Sequence, residues 1–244
     1  MSAPLGRPRL HLREVGSTNV RARELAAAGA PHGTLVTATA QTAGRGRQGR
    51  SWAAPPGRAL IASLVLRDVP ALLPLAAAVA VAEVAGEGAR VKWPNDVLVG
   101  DGDPPAGKVA GILAEGRPQE GWAVLGIGLN VAVRPEDLPP DVRDRAGTLG
   151  LEPADLEPTL ERLLRALERW LAAPDAEVLD ALRARDALAG REVAWAGGRG
   201  VARGIDDAGR LIVEHADGTR SALDAGEVHL ARQGRRVTDE EDVG

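Results

Sequence analysis

Lysine is almost missing from this chain: of 30 basic residues only Lys92 and Lys108 are lysine. Arginine serves wherever a generic positive charge suffices. A lysine that persists therefore marks a place where a compact, three-donor ammonium does what a planar guanidinium cannot. A second concentration of charge is "QTAGRGRQGRSW" at 41–52, where Arg45, Arg47 and Arg50 alternate with Gly44, Gly46 and Gly49 between Gln41 and Trp52. Glycine lets backbone amides turn inward as an anion nest, and arginine adds forked donors that match carboxylate or phosphate. The segment is not a Walker loop, because no Gly-Lys-Ser/Thr follows. Taken alone, it reads as a solvated basic loop or as a cover for an anion.

Each lysine has a distinctive setting. In "VKWPNDVLV" (91–99) Pro94 disfavours helix at Trp93 and sets a turn, with Lys92 at a strand end. Asn95 and Asp96 suit hydrogen bonds to nearby backbone. A plain turn accounts for Pro94 to Asp96 but not for the lysine, and Asp96 is also a carboxylate that could offer oxygen to a divalent cation. In "GKVAGILAE" (107–115) Lys108 precedes an apolar strand interrupted by Gly111, and "GIGLNV" (126–131) is a strand with two glycines ending in Asn130. Glycine inside a strand marks close approach by a ligand or another backbone. Two such strands with two lysines suggest a sheet face on which something lies flat. In "GSTN" (16–19), Ser17 or Thr18 can cap a helix, yet capping does not require three hydroxyl or amide residues in succession. Ser17, Thr18 and Asn19 could instead hydrogen-bond a small polar head group in an apolar pocket.

The elements that must position these residues follow from periodicity. Strands are expected at 35–41, 60–66, 109–115 and 122–131, and helices at 20–29 and 72–84. Gly29 is expected to stop the first helix. "LEPTLERLLRALERWLAA" (156–173) carries Leu156, Leu160, Leu163, Leu164, Leu167, Trp170 and Leu171 on one stripe, a helix expected to pack on a sheet. After Gly190, short strand-like runs alternate with "AGGRG", "DDAG" and "ADG" turns, which spells a small β-barrel. The fold class is therefore α+β followed by a small all-β domain, divided as 1–188 and 189–244, with a charged, frayed tail.

Composition narrows the function. With 244 residues, 44% apolar and 26% charged, the chain can bury a core, and its net charge of −4 gives no global attraction to nucleic acid or anionic membrane. The absence of cysteine excludes disulfides, thiol catalysis and cysteine-held metals. The four histidines (11, 32, 215, 229) form no metal pattern. No apolar leader or run of 18 apolar residues occurs, so a cytoplasmic protein with no membrane contact is expected.

In order, "STN", "Q-x-A-GRGR-x-GR-x-W", "KWPND", "G-K-x-A-GIL-x-E" and "G-x-G-x-N" resemble the bacterial biotin protein ligases. The terminal "GVARGID…G…L…DGT…GEV" is similar to that family's C-terminal domain, so the resemblance runs from about Leu10 to Arg232. It implies a mixed-sheet biotin/lipoate ligase-like catalytic domain followed by an SH3-like barrel. It also implies a two-step reaction: biotin and Mg-ATP give biotinyl-5′-AMP and pyrophosphate. The biotinyl group then passes to one lysine of a biotin carboxyl carrier protein, the acetyl-CoA carboxylase subunit.

By resemblance, Ser17, Thr18, Asn19, Gln41, Arg45, Gly46, Arg47, Lys108 and Gly111 line the biotin and acyl-adenylate site. Arg50, Trp52, Lys92, Asn95, Asp96, Asn130 and Arg232 fall around the nucleotide, although "GEVHLAR" puts Arg232 one residue off the family spacing. Lys108, Arg47 and Lys92 carry the catalytic charge, with Mg2+ brought by ATP and Asp96 the carboxylate available to it. Two departures stand out. The chain starts about seven residues before its first core strand, which leaves no room for the helix-turn-helix of repressor members, so a ligase without DNA as partner is expected, as monomer or homodimer. The family's aromatic positions are largely non-aromatic here.

The chemistry agrees with the residues. Attack of a carboxylate on an α-phosphate brings anions together, and fixed cations stabilise the charge that develops. Lys108 is expected between the two groups, and the Arg47 loop is expected to be disordered when empty and to order over the adenylate, keeping water from a mixed anhydride. A lipoate or octanoate ligase or transferase on the same core is the nearest alternative, but Ser17, Thr18, Asn19 and Gln41 suit a ureido ring better than an apolar chain. A non-catalytic biotin-responsive module would not need phosphate-facing charge. A small RNA-binding protein fits poorly with the acidic balance and few aromatics.

Overall fold

The computed structural model describes residues 4–103, 107–117, 120–224 and 228–230. Strands β1 (Arg9–Val15), β2 (Leu35–Gln41), β3 (Ala59–Leu66), β4 (Arg90–Lys92), β5 (Asp96–Val99), β6 (Gly107–Arg117) and β7 (Trp122–Asn130) form a seven-stranded sheet in the order β1-β2-β3-β7-β6-β5-β4. Only β1 and β2 pair in parallel, so the sheet is mixed. β8 (Glu192–Trp195), β9 (Gly198–Ile205), β10 (Leu211–Glu214), β11 (Arg220–Leu223) and β12 (His229–Leu230) form a second, antiparallel sheet. The small all-β unit expected after Gly190 is this sheet. None of the described helices is long and apolar enough to cross a membrane.

Helix α1 (Thr18–Ala27) lies on one face of the large sheet, where Ala22 and Ala26 pack on Val36, Val65 and Val124. On the other face lies α2 (Leu73–Ala85), buried nearly all round. Its alanines and valines let it fit between the sheet and two further helices, α4 (Leu156–Leu171) and α5 (Asp175–Arg183), with the short α3 (Pro140–Arg143) in the connection before them. The stripe on α4 packs chiefly on α2 and has a lesser contact with the sheet at β3. That corrects the expected direct packing on a sheet. Helix α5, which buries Val178, Leu179 and Leu182 on one side, was not anticipated.

With no Phe or Tyr, Trp93 is the largest fully buried side chain. Its Nε1 donates to Gly209 O at 3.0 Å, which ties the turn after β4 to the second sheet. Apolar residues of both sheets join one cluster, with Leu188, Val193, Ala202 and Leu211 continuing the core beyond α5.

At that junction Asp186 accepts from Leu188 N at 2.8 Å while its Oδ2 is buried without a partner, and burial pushes its carboxyl above the ordinary aspartate range. A raised folded-state value means the folded form holds its proton longer than the unfolded form. Stability from this group is thus present at low pH and falls as pH rises from the ordinary aspartate range through the raised value. Asp186→Asn is expected to remove that fall while keeping the acceptor for Leu188. Tm measured from pH 4 to pH 8 checks this; parallel curves for the two proteins would contradict it.

Candidate active site

The G-x-G-x-N pattern fixes which face of the sheet is the working face. Side chains alternate along a strand, so Leu125, Ile127 and Leu129 enter the core around α2 while Gly126, Gly128 and Asn130 share the opposite face. Across β7, Ser63 on β3 stands opposite Gly126, and Gly111 on β6 stands opposite Gly128. Paired glycines leave a trough of bare backbone. The flat group lying in it is Trp52, which the resemblance had put beside the nucleotide. A Cβ on Gly128 would stand 2.4 Å from Trp52 Cε2, and one on Gly111 would stand 3.2 Å from Cζ3. Trp52 Nε1 is buried there with no hydrogen-bond partner.

One end of the trough is polar and closed. Ser17, Thr18 and Asn19 are buried at the start of α1. Ser17 occupies the N-cap position yet makes no side-chain cap bond, so its hydroxyl is not spent on the helix. Gln41 Oε1 accepts from Thr18 N at 2.7 Å and from Thr18 Oγ1 at 3.1 Å. Beneath them, fully buried Ser63 lies 2.9 Å from Thr18 Oγ1 and 2.6 Å from Asn19 Oδ1. Asn19 Nδ2 donates to Glu115 Oε2 at 2.9 Å and to Leu113 O at 3.3 Å. Ser63 and Glu115 were missed as site residues. For Ser63 the available signal was a single hydroxyl inside the apolar run "LIASLVL" (60–66).

The arginine-glycine loop covers this face. An isolated bridge pairs Arg45 with Ser51, a single 3-10 turn spans Arg47–Gly49, and Gly46 N donates to Arg50 O at 2.7 Å. Arg45 lies 3.5 Å from Glu115, and Arg47 Nη1 donates to Asn95 Oδ1 at 2.9 Å. Asn95 in turn donates to Ile112 O at 3.1 Å, which fixes its amide. The loop is folded down on the sheet. Arg47, Arg50, Lys92, Asn95 and Asp96 border a crevice that also touches Val228 of the second sheet, with room of about 10 Å3. That is about one water, so a nucleotide enters only if the loop moves.

Lys108 lies within β6 rather than ahead of it. Its backbone is pinned on both sides, N to Arg145 O at 2.7 Å and O from Gly147 N at 2.9 Å. Its Nζ is 2.7 Å from Asp96 Oδ1 and 5.8 Å from the centre of the Trp52 ring. Lys92 stands opposite Asp96 in the β4–β5 register and lines the crevice with it. Asn130 Nδ2 donates to Gly147 O at 2.9 Å, and its Oδ1 is buried without a partner. Two orphaned polar atoms on one sheet face, Trp52 Nε1 and Asn130 Oδ1, are what a missing ligand would leave. Arg232 lies outside the described residues. Among the described residues no three His, Asp or Glu side chains gather. A divalent ion here would thus rest mainly on phosphate oxygens and water, with Asp96 as its single carboxylate.

The fold and this site define an adenylate-forming acid–protein ligase class: a glycine-floored trough, an ammonium beside it and an arginine loop above. The family model described as the Biotin/lipoate A/B protein ligase family matches residues 13–131, and that of the Biotin protein ligase C terminal domain matches residues 190–230. The chain is 39% identical over 241 residues to the biotin--[acetyl-CoA-carboxylase] ligase of Mycobacterium tuberculosis, covering 89% of this chain and 87% of that protein. It is 36% identical over 247 residues to the enzyme of that name from Paracoccus denitrificans, covering 89% and 98%. The solved biotin protein ligase of Aquifex aeolicus in complex with biotin and ATP aligns with a TM-score of 0.73 and 26% identity, covering 92% of this chain and 100% of that one. The chain belongs to the biotin protein ligase family.

Proposed function

We propose that this protein activates biotin with ATP as biotinyl-5′-AMP and transfers the biotinyl group to a lysine of a biotin carboxyl carrier protein of acetyl-CoA carboxylase. The observation that carries this reading is the placement of Lys108. It stands beside the glycine trough, between the hydroxyl and amide pocket of Ser17, Thr18, Asn19 and Gln41 and the cationic crevice of Arg47, Arg50 and Lys92. The pocket takes the ureido ring, the trough takes the valeryl chain once Trp52 lifts, and the carboxylate reaches the ammonium. One carboxylate oxygen attacks the α-phosphorus and pyrophosphate leaves. In the second step the carrier's neutral amine attacks the acyl carbon, its surplus proton is released, and AMP leaves. No side chain of this protein acts as a nucleophile in either step. A Mg2+ ion arriving with ATP would have Asp96 as the carboxylate to hold it and would supply charge neutralisation for the phosphates. We read 1–188 as the catalytic domain, 189–244 as a unit that closes on the nucleotide side, and the cytoplasm as the site of action.

Biotin-dependent exchange of pyrophosphate into ATP, followed by labelling of a carrier domain, tests the assignment. Exchange with lipoate or octanoate but not biotin would overturn it. For the loop, Arg47→Gly breaks the bond to Asn95 and frees a segment already rich in glycine. The variant is expected to keep making biotinyl-AMP but to release it, raising label on bystander proteins at least tenfold. Retention of the adenylate as tight as in the parent protein would contradict the lid role.

A further inference from the structure

Glu115 touches both the polar pocket and the arginine loop. Its carboxylate is largely buried, with 21% of the side chain exposed. Oε2 accepts from Asn19 Nδ2, while Oε1 lies 3.5 Å from Arg45 of the loop and 3.4 Å from Arg23 of α1. We propose that Glu115 is a positioning residue, which sets the amide of Asn19 in the acid-binding pocket and anchors the loop through Arg45. This rests on the reading above that the pocket receives the acid substrate.

The orientation argument is one of counting protons. Asn19 is buried, and both of its amide hydrogens are taken, by Glu115 and by Leu113 O. Its Oδ1 must then face Ser63, and the 2.6 Å contact between them requires the single Ser63 proton. Ser63 can no longer donate to Thr18 at 2.9 Å, and the single Thr18 hydroxyl proton is spent within the pocket, on Gln41 Oε1 at 3.1 Å or on Ser63 Oγ. Thr18 Oγ1 thereby keeps its lone pairs for a ligand and presents an acceptor, which suits a substrate N–H. A flipped Asn19 would set Oδ1 against Leu113 O and the carboxylate, two acceptors it cannot satisfy. The carboxylate thus fixes, through three side chains, which polarity the pocket shows. The loop half of the role is weaker, because Arg45 is 45% exposed and such pairs are worth little in water.

Two variants separate the halves. Glu115→Gln keeps an acceptor for Asn19 but loses the charge, whereas Glu115→Ala loses both. KM and kcat are measured by pyrophosphate exchange with whichever acid the parent protein turns over, and amide hydrogen exchange is followed at 44–51 in protein without ligand. Glu115→Ala is expected to raise KM for the acid tenfold or more with kcat within threefold. Glu115→Gln should return KM to within fivefold of the parent. Both variants should exchange faster than the parent at 44–51, and salt should speed exchange in the parent but not in the variants. Unchanged KM in Glu115→Ala, equal KM in the two variants, or unaltered exchange at 44–51 each overturns the proposal. A parent protein that turns over no acid defeats the functional reading instead, and the exchange of 44–51 then decides the role of Glu115 without any substrate.

Discussion

Replacing Lys108 by arginine is expected to lower kcat/KM for adenylation by about 100- to 1,000-fold, the scale of losing one aimed charge at a developing anion. The charge itself is kept, so electrostatic attraction of ATP is little changed and its Kd should stay within about threefold. What fails is fit. The ammonium sits against bare backbone, with its Nζ 3.3 Å from where a Cβ of Gly111 would be, 2.7 Å from Asp96 Oδ1 and beneath the Trp52 ring. With the backbone of residue 108 pinned by Arg145 and Gly147, a longer side chain ending in a planar fork cannot put one donor at that point. Single-turnover formation of biotinyl-AMP, measured alongside ATP binding by calorimetry, separates the two effects. Adenylation within threefold of the parent would sink the ammonium argument.

The second large effect is expected from a single methyl group. In Gly126→Ala the new Cβ would stand 2.0 Å from Asn19 Oδ1 and 2.7 Å from its Cγ. Asn19 has nowhere to go, being held by Ser63, Glu115 and the Leu113 carbonyl. Either the amide leaves its three partners or the start of α1 lifts from the sheet. Overpacking of this kind costs about 1–3 kcal/mol of stability, and the pocket loses its arrangement of donors and acceptors. Biotin affinity should fall by about 100-fold, with Tm lowered by several degrees. Gly88→Ala, where nothing lies within 4 Å of the added carbon, is the matched control and should change neither. Parent-like biotin binding by Gly126→Ala would show that Asn19 does not belong to the pocket.

Much of this could be read from residue order because it is written in local patterns. The alternation in "GIGLN" places two glycines and an asparagine on one face, and the apolar runs gave β2, β3, β6 and β7 to within a few residues. The KWPND turn between strands is seen as β4, a turn and β5. Contacts set by distant partners were less legible. Nothing near Ser63 in sequence tells that Asn19 and Thr18 meet its hydroxyl, and the glutamate of "GILAE" was quoted without any hint that Arg45 and Asn19 converge on it. A sheet face with something lying flat on it was foreseen, but not that the chain's own Trp52 lies there. The partner of α4 was likewise hidden, since a leucine stripe states that it is covered and not by what.

The two lysines have one more consequence. A mixed anhydride of a carboxylic acid and AMP acylates primary amines, and a typical protein surface is studded with them. Here both lysines of the whole chain lie at the site, Lys108 on Asp96 and Lys92 in the crevice beside it, and every other cationic side chain is a guanidinium or an imidazole. Away from the site, the surface of this molecule offers no lysine to the reactive product made within it. An adenylate that slips out meets no lysine on this protein away from the site, and the next side-chain amine it encounters belongs to another molecule.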